Sequence, residues 1–139
     1  MVSTSRAEAP LLLDTSAVLA FIEDEAGADR VEAALRLEST LLPWPVLLEA
    51  HYVILRDDGQ AEADRCTALL LQLGVSIIWG MDEATMLTAA RIKGRHRVSF
   101  ADALIAAFAV RSGAVLLHKD PEYESLAGVL PMEPLPYKV

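Results

Sequence analysis

Short apolar runs alternate with longer stretches of helical periodicity along the chain. Residues 10–13 form an apolar run that stops at Asp14, as a buried parallel strand does, and a helical pattern opens at Asp14-Thr15-Ser16 and continues over 17–22. After a polar break at Glu23-Asp24-Glu25 and Gly27, residues 29–37 are amphipathic, with Val31, Ala34 and Leu35 on one face. Residues 40–42 predict a short strand ended by Pro43. Helices are predicted over 45–56, opened by Pro45 and stopped by Asp57-Asp58-Gly59, and over 61–73, closed by Gly74. The β-branched and aromatic run 75–79 predicts a strand, and Asp82 caps a helix over 83–93. A further helix runs from Ser99 to about Ser112-Gly113, a strand covers 114–117, and 129–134 hold a last short edge strand. Strands alternating with helices predict an α/β domain whose parallel sheet is covered on both faces. Residues 1–9 read as a flexible leader and 10–139 as one domain.

One of these helices is unusual. From Val98 to Val110 nearly every position is apolar, which predicts burial on all sides, and Asp102 is the only charge in its first three turns. A buried carboxylate costs several kcal/mol, roughly, unless it is paired, hydrogen-bonded or bound to a cation. Ser99-Phe100-Ala101-Asp102 also fits a capping box, which places Asp102 at a helix N-terminus and satisfies it locally.

Composition narrows the class. The chain has 139 residues, 53% hydrophobic and 23% charged, enough for one domain with a real core. Its single cysteine, Cys66, leaves no disulfide framework and no cysteine-based zinc site. The N-terminal residues carry no signal-peptide pattern, and no uncharged run approaches the ~20 residues of a membrane span, so a soluble cytoplasmic protein is expected. A net charge of −8 argues against a general nucleic-acid coat and suits a cation-binding acidic site or a basic partner. The exception is a basic run, Arg91, Lys93, Arg95, His96 and Arg97, just before the Asp102 helix.

The remaining acids are read against that background. Asp14 and Asp120 follow predicted strands, where parallel sheets bind ligands, although each also serves as a helix cap in a plainer account. Glu49 lies mid-helix in a narrow polar stripe with Tyr52 and Arg56, and this stripe either faces water or joins the other acids. Four converging carboxylates repel by ~3–4 kcal/mol per close pair at an effective dielectric near 20. A hard divalent cation offsets that repulsion, and Mg²⁺ or Mn²⁺ fits oxygen ligands better than zinc, for which His51, His96 and His118 are not spaced.

The set Leu11-Leu12-Leu13-Asp14-Thr15-Ser16, Glu49 in its helix, Ser99-Phe100-Ala101-Asp102-Ala103, and Asp120 with Tyr123 closely resembles the PIN-domain ribonucleases, nearest to VapC-type toxins of toxin–antitoxin pairs. The resemblance covers the chain after residue 10. It implies a PIN-like fold with a five-stranded parallel sheet, a homodimer, and Mg²⁺-dependent (or Mn²⁺-dependent) endonucleolytic cleavage of RNA, restrained by a cognate antitoxin whose basic residues reach the acids. By motif match Asp14, Glu49, Asp102 and Asp120 form the catalytic quartet. Asp14 and Asp102 are expected to hold the metal directly, and Glu49 and Asp120 through water. Thr15, Ser16, Ser99 and Glu122 support the site, and Arg91, Lys93, Arg95 and Arg97 hold RNA phosphates. One departure is His118-Lys119-Asp120 where the family usually has Thr-x-Asp. The lost hydroxyl removes a support for Asp120, and Lys119 is placed to compete for its charge. Two other readings stay open: a phosphoryl-receiver domain with Asp82 as acceptor, and a PIN-fold binding module without catalysis.

Overall fold

The computed structural model describes residues 9–139. The leader expected over 1–9 lies, except for Ala9, outside the described residues. The elements are β1 (Leu11–Leu13), α1 (Thr15–Ile22), α2 (Ala28–Leu35), β2 (Leu41–Pro43), α3 (Trp44–Asp58), α4 (Gln60–Gln72), β3 (Ser76–Ile78), α5 (Glu83–Arg95), α6 (Phe100–Ser112), β4 (Val115–His118) and β5 (Met132–Pro134). A 3-10 segment, Pro121–Leu126, sits between β4 and β5.

Five parallel strands run in the order β3-β2-β1-β4-β5. Leu12 and Leu13 of the central strand point to opposite faces and are both fully buried, so helices cover the sheet on both sides. The chain winds outward from β1 through β2 to β3, then returns to lay β4 on the other flank of β1. The crevice between β1 and β4 is therefore the topological switch point, the place where such sheets bind ligands. The strand order differs from the 2-1-3-4-5 of receiver-type sheets, which removes that reading. Asp82 instead caps α5, accepting from the Thr85 backbone at 2.8 Å.

Several predicted boundaries shift for local reasons. Pro43 lies inside β2 rather than just after it. It is the last residue of the strand, opposite Ile78, because its extended backbone (φ −77°, ψ 152°) fits there and doubles as the cap of α3. Helix α5 continues to Arg95, so most of the basic run is helical. Helix α6 is buried through its middle but not on every side: Phe100 is 76% exposed. The 3-10 segment had no counterpart in the predicted elements, although Asp120 as cap followed by Pro121 and Glu122 is a helix-start signal.

β1 carries the greatest demand, because both of its neighbours pack through it. Leu12→Ala is expected to cost about 3 kcal/mol of unfolding free energy from lost transfer energy and the cavity left behind. Urea denaturation measures this, and a loss under 1 kcal/mol contradicts a rigidly packed centre.

Candidate metal centre at the switch point

Asp14 is the first residue past β1, and its N–H donates to the Leu117 carbonyl, so the ladder with β4 sets its position. Its two carboxylate oxygens have separate tasks. Oδ2 accepts from the Ser16 backbone at 2.9 Å, which caps α1, and from the Ser16 hydroxyl. Oδ1 accepts from the Tyr123 hydroxyl. Capping and participation in the site are thus compatible in one side chain.

Tyr123 is fully buried in the 3-10 segment, and its hydroxyl also lies 3.1 Å from Asp102 Oδ1. Ser99 caps α6 as expected, accepting from the Asp102 backbone at 3.1 Å. The reciprocal half of the capping box does not form: the Asp102 carboxylate turns inward to Tyr123 rather than back to Ser99. A phenol carries a single proton and cannot fully satisfy two ionised carboxylates. Burial, followed by the charge of Asp14, pushes the Asp102 carboxyl up to about 7. Burial also raises Asp14, against the lowering effect of its bonds to Ser16 and Tyr123. Burial and these two acids together hold the Tyr123 phenol well above its ordinary range.

Glu49 is half-buried and accepts from the Thr15 hydroxyl, so it faces the site. Burial raises its carboxyl, opposed by Thr15 and reinforced by Asp14 and Asp120. Arg56, in the same polar stripe, pairs with its neighbour Asp57 at 2.9 Å.

Asp120 leaves β4 next to β1 and accepts from the Glu122 backbone at 2.9 Å. Oxygens of Asp102, Asp120 and Glu122 come within 4.8 Å of one another. His118 stands where a hydroxyl was expected, and its Nδ1 accepts from the Asp120 backbone at 3.1 Å. Burial lowers the His118 pKa, in keeping with the neutral ring that such an acceptor requires. Lys119 does not compete for Asp120. Its ammonium points away, donating to the Ala26 carbonyl at 2.8 Å and lying 3.4 Å from Glu25.

Among the described residues no lysine, arginine or histidine pairs with Asp14, Glu49, Asp102 or Asp120. An all-oxygen donor set, partly buried and without a counter-cation, fits a hard divalent ion. Arg91, Lys93, Arg95 and Arg97 are exposed on the last turns of α5 and beyond, where no described acid lies within ion-pair distance of them. Lys93 closes the turn by donating to the Val98 carbonyl at 2.9 Å.

The PIN domain family profile matches residues 11–129. The chain belongs to the PIN domain family. Solved structures similar to this PIN domain include VapBC2 of Rickettsia felis bound to a DNA fragment from its promoter. That pair has a TM-score of 0.73 at 15% identity over 91% of this chain and 98% of the other. VapC20 of Mycobacterium tuberculosis, a Sarcin–Ricin loop cleaving toxin, has 0.68 at 21% identity over 86% and 95%. A toxin–antitoxin complex from Klebsiella pneumoniae has 0.69 at 16% identity over 93% and 99%. Comparison with curated protein sequences finds no match.

The bridging role of Tyr123 in this PIN domain was not apparent from its motif, because a single Tyr beside Asp120 says nothing about which acids it touches. Two measurements test the electrostatics. The folded state keeps a proton on Asp102 up to about pH 7, whereas the unfolded chain releases it near 3.8. Stability of the metal-free protein is therefore expected to fall as pH rises from 4 to 7 and to level off above, by on the order of 1–3 kcal/mol. Asp102→Asn is expected to flatten that slope and to exceed the wild type in stability at pH 8, read by thermal melts in chelator. Tyr123→Phe is expected to cost ~1–3 kcal/mol, since it leaves Asp14 Oδ1 buried without a donor. Melts of the metal-free variant measure this, and an unchanged midpoint contradicts the bridging role.

Proposed function

We propose that this PIN domain, spanning residues 10–139, is a metal-dependent endoribonuclease and the toxin of a toxin–antitoxin pair. The observation that carries the reading is the meeting of acids from four separate elements at the β1–β4 switch point, with no counter-cation among the described residues. PIN domains are typically nucleases, and the likeness to VapBC complexes and to a Sarcin–Ricin loop cleaving toxin supports the same reading.

Mg²⁺, or Mn²⁺ in its place, is the expected cofactor; bound there, it supplies water activation and charge stabilisation at the attacked phosphate. Asp14 and Asp102 would hold it directly, and Glu49 and Asp120 would hold it through water. Ser16 aims the Asp14 carboxylate and Thr15 aims Glu49, each through one hydroxyl. Ser99 fixes the first turn of α6 and with it the height of Asp102. Glu122 adds a carboxylate at the open side of the Asp102–Asp120 pair. The scissile phosphate would lie over these acids, and Arg91, Lys93, Arg95 and Arg97 would neutralise flanking phosphates on a chain that is otherwise strongly acidic.

The partners in this reading are RNA, a second copy of the chain and an antitoxin whose Arg or Lys residues reach the carboxylates. Cytoplasmic residence suits such a protein. Among the described residues no helix is long and apolar enough to cross a membrane.

The decisive experiment incubates total RNA with partner-free protein in Mg²⁺, Mn²⁺ or excess chelator, with Asp102→Asn alongside. Discrete fragments are expected with metal, falling at least 100-fold in the variant and vanishing in chelator. Cleavage that survives in Asp102→Asn contradicts the assignment, and a folded, metal-binding protein that cuts nothing points to the silent binding module. Arg91→Ala with Arg95→Ala is expected to weaken RNA binding similarly for unrelated sequences and to reduce the salt slope by about two. Filter binding across salt concentrations reads both.

A further inference from the structure

We propose that Lys119 is a positioning residue that sets the alignment of Asp14 and Asp120 across the β1–β4 seam. The inference rests on the metal-dependent reading above and adds a residue that the acidic motifs do not contain.

Lys119 is tied at both ends to the segment that carries Asp14. Its backbone N–H donates to Ser16 Oγ at 2.8 Å, and that hydroxyl donates on to Asp14 Oδ2. Its side chain, 4% exposed, reaches the α1–α2 turn, where Nζ donates to the Ala26 carbonyl at 2.8 Å and sits 3.4 Å from Glu25 Oε1. The other Glu25 oxygen is 3.0 Å from Lys138 Nζ. The anchor itself is stiff. Gly27 has φ +98°, and a Cβ there would lie 3.1 Å from the Leu135 side chain, while the Leu135 N–H donates to the His118 carbonyl at 2.7 Å. Lys119, the turn, Leu135 and His118 therefore form a closed ring of contacts, and Asp120 is the next residue out of it.

A buried ammonium is an expensive way to fill space, since an apolar side chain of similar volume does so without desolvating a charge. What a lysine adds is direction: a charged donor of fixed reach between two backbone segments. Groups that orient metal ligands commonly change metal affinity 10–100-fold when removed, without touching the ion.

Lys119→Met keeps most of the buried stem and removes the ammonium. It is expected to weaken Mn²⁺ binding, measured by calorimetry, by about tenfold, and to lower kcat for RNA cleavage with KM and salt slope unchanged. Glu25→Gln is expected to shift both in the same direction by less, and Lys119→Met with Glu25→Gln to be no worse than Lys119→Met alone. Lys119→Arg keeps the charge, has room in the adjoining cavity of about 320 Å³ lined by Ser16, Glu25 and Lys138, and is expected to recover most of the loss. If Lys119→Met fails to fold, Glu25→Gln and Lys119→Arg still decide the matter by Mn²⁺ affinity. Wild-type Mn²⁺ affinity in a folded Lys119→Met protein overturns the proposal, as does a higher KM with a shallower salt slope at constant kcat, which marks a phosphate contact. If the wild type binds Mn²⁺ but cuts no RNA, the nuclease reading fails, while a tenfold Mn²⁺ loss in Lys119→Met still supports the positioning role.

Discussion

Two buried carboxylates, Asp14 and Asp102, confront one phenol proton, and the electrostatics of the site follow from that shortage. In water the two acids would separate and ionise freely. Here the β1–β4 ladder fixes one and the N-terminus of α6 fixes the other, with Tyr123 wedged between them. The stress is held on Asp102, whose carboxyl stays protonated to about 7 without a cation. Such an arrangement is costly without charge compensation, which a divalent cation would supply.

Holding like charges together requires a frame that does not relax, and short strands alone do not provide one. Strands of three or four residues contribute few ladder bonds. Side-chain hydrogen bonds add to the frame: the Lys119 N–H donates to Ser16 Oγ and Lys119 Nζ to the Ala26 carbonyl, the Asp120 N–H donates to His118 Nδ1, and the Thr15 hydroxyl donates to Glu49. His118 shows how one chemical function is replaced by another. An imidazole that burial keeps neutral accepts the Asp120 N–H, and the expected hydroxyl is not needed at that point.

The strand and helix order was legible in the residues because each element has a local cause. Leu12 and Leu13 sit in an apolar run that buries as a strand, Pro45 sits in the first turn of a helix, and Gly113 closes one in a left-handed conformation (φ 62°). Three of the acids were legible for the same reason, since a carboxylate that ends a strand or opens a buried helix stands out against its neighbours. Glu49 was harder, as a polar stripe on a helix reads equally well as a solvated face until its partner is known. The 3-10 segment was missed although its cap signal was present.

By itself, then, the sequence determined the alternation of elements, the family pattern and the identity of the candidate acids, all of which depend on residues close together along the chain. Tertiary structure alone decided which oxygen faces which partner. Tyr123 meets Asp14 across 109 positions, Lys119 meets Ser16 across 103, and Thr15 meets Glu49 across 34. Such contacts have no periodicity and no local propensity to betray them. The first two exist because the crossover from α6 lays β4 and the segment after it beside β1, and the third because α3 packs against α1.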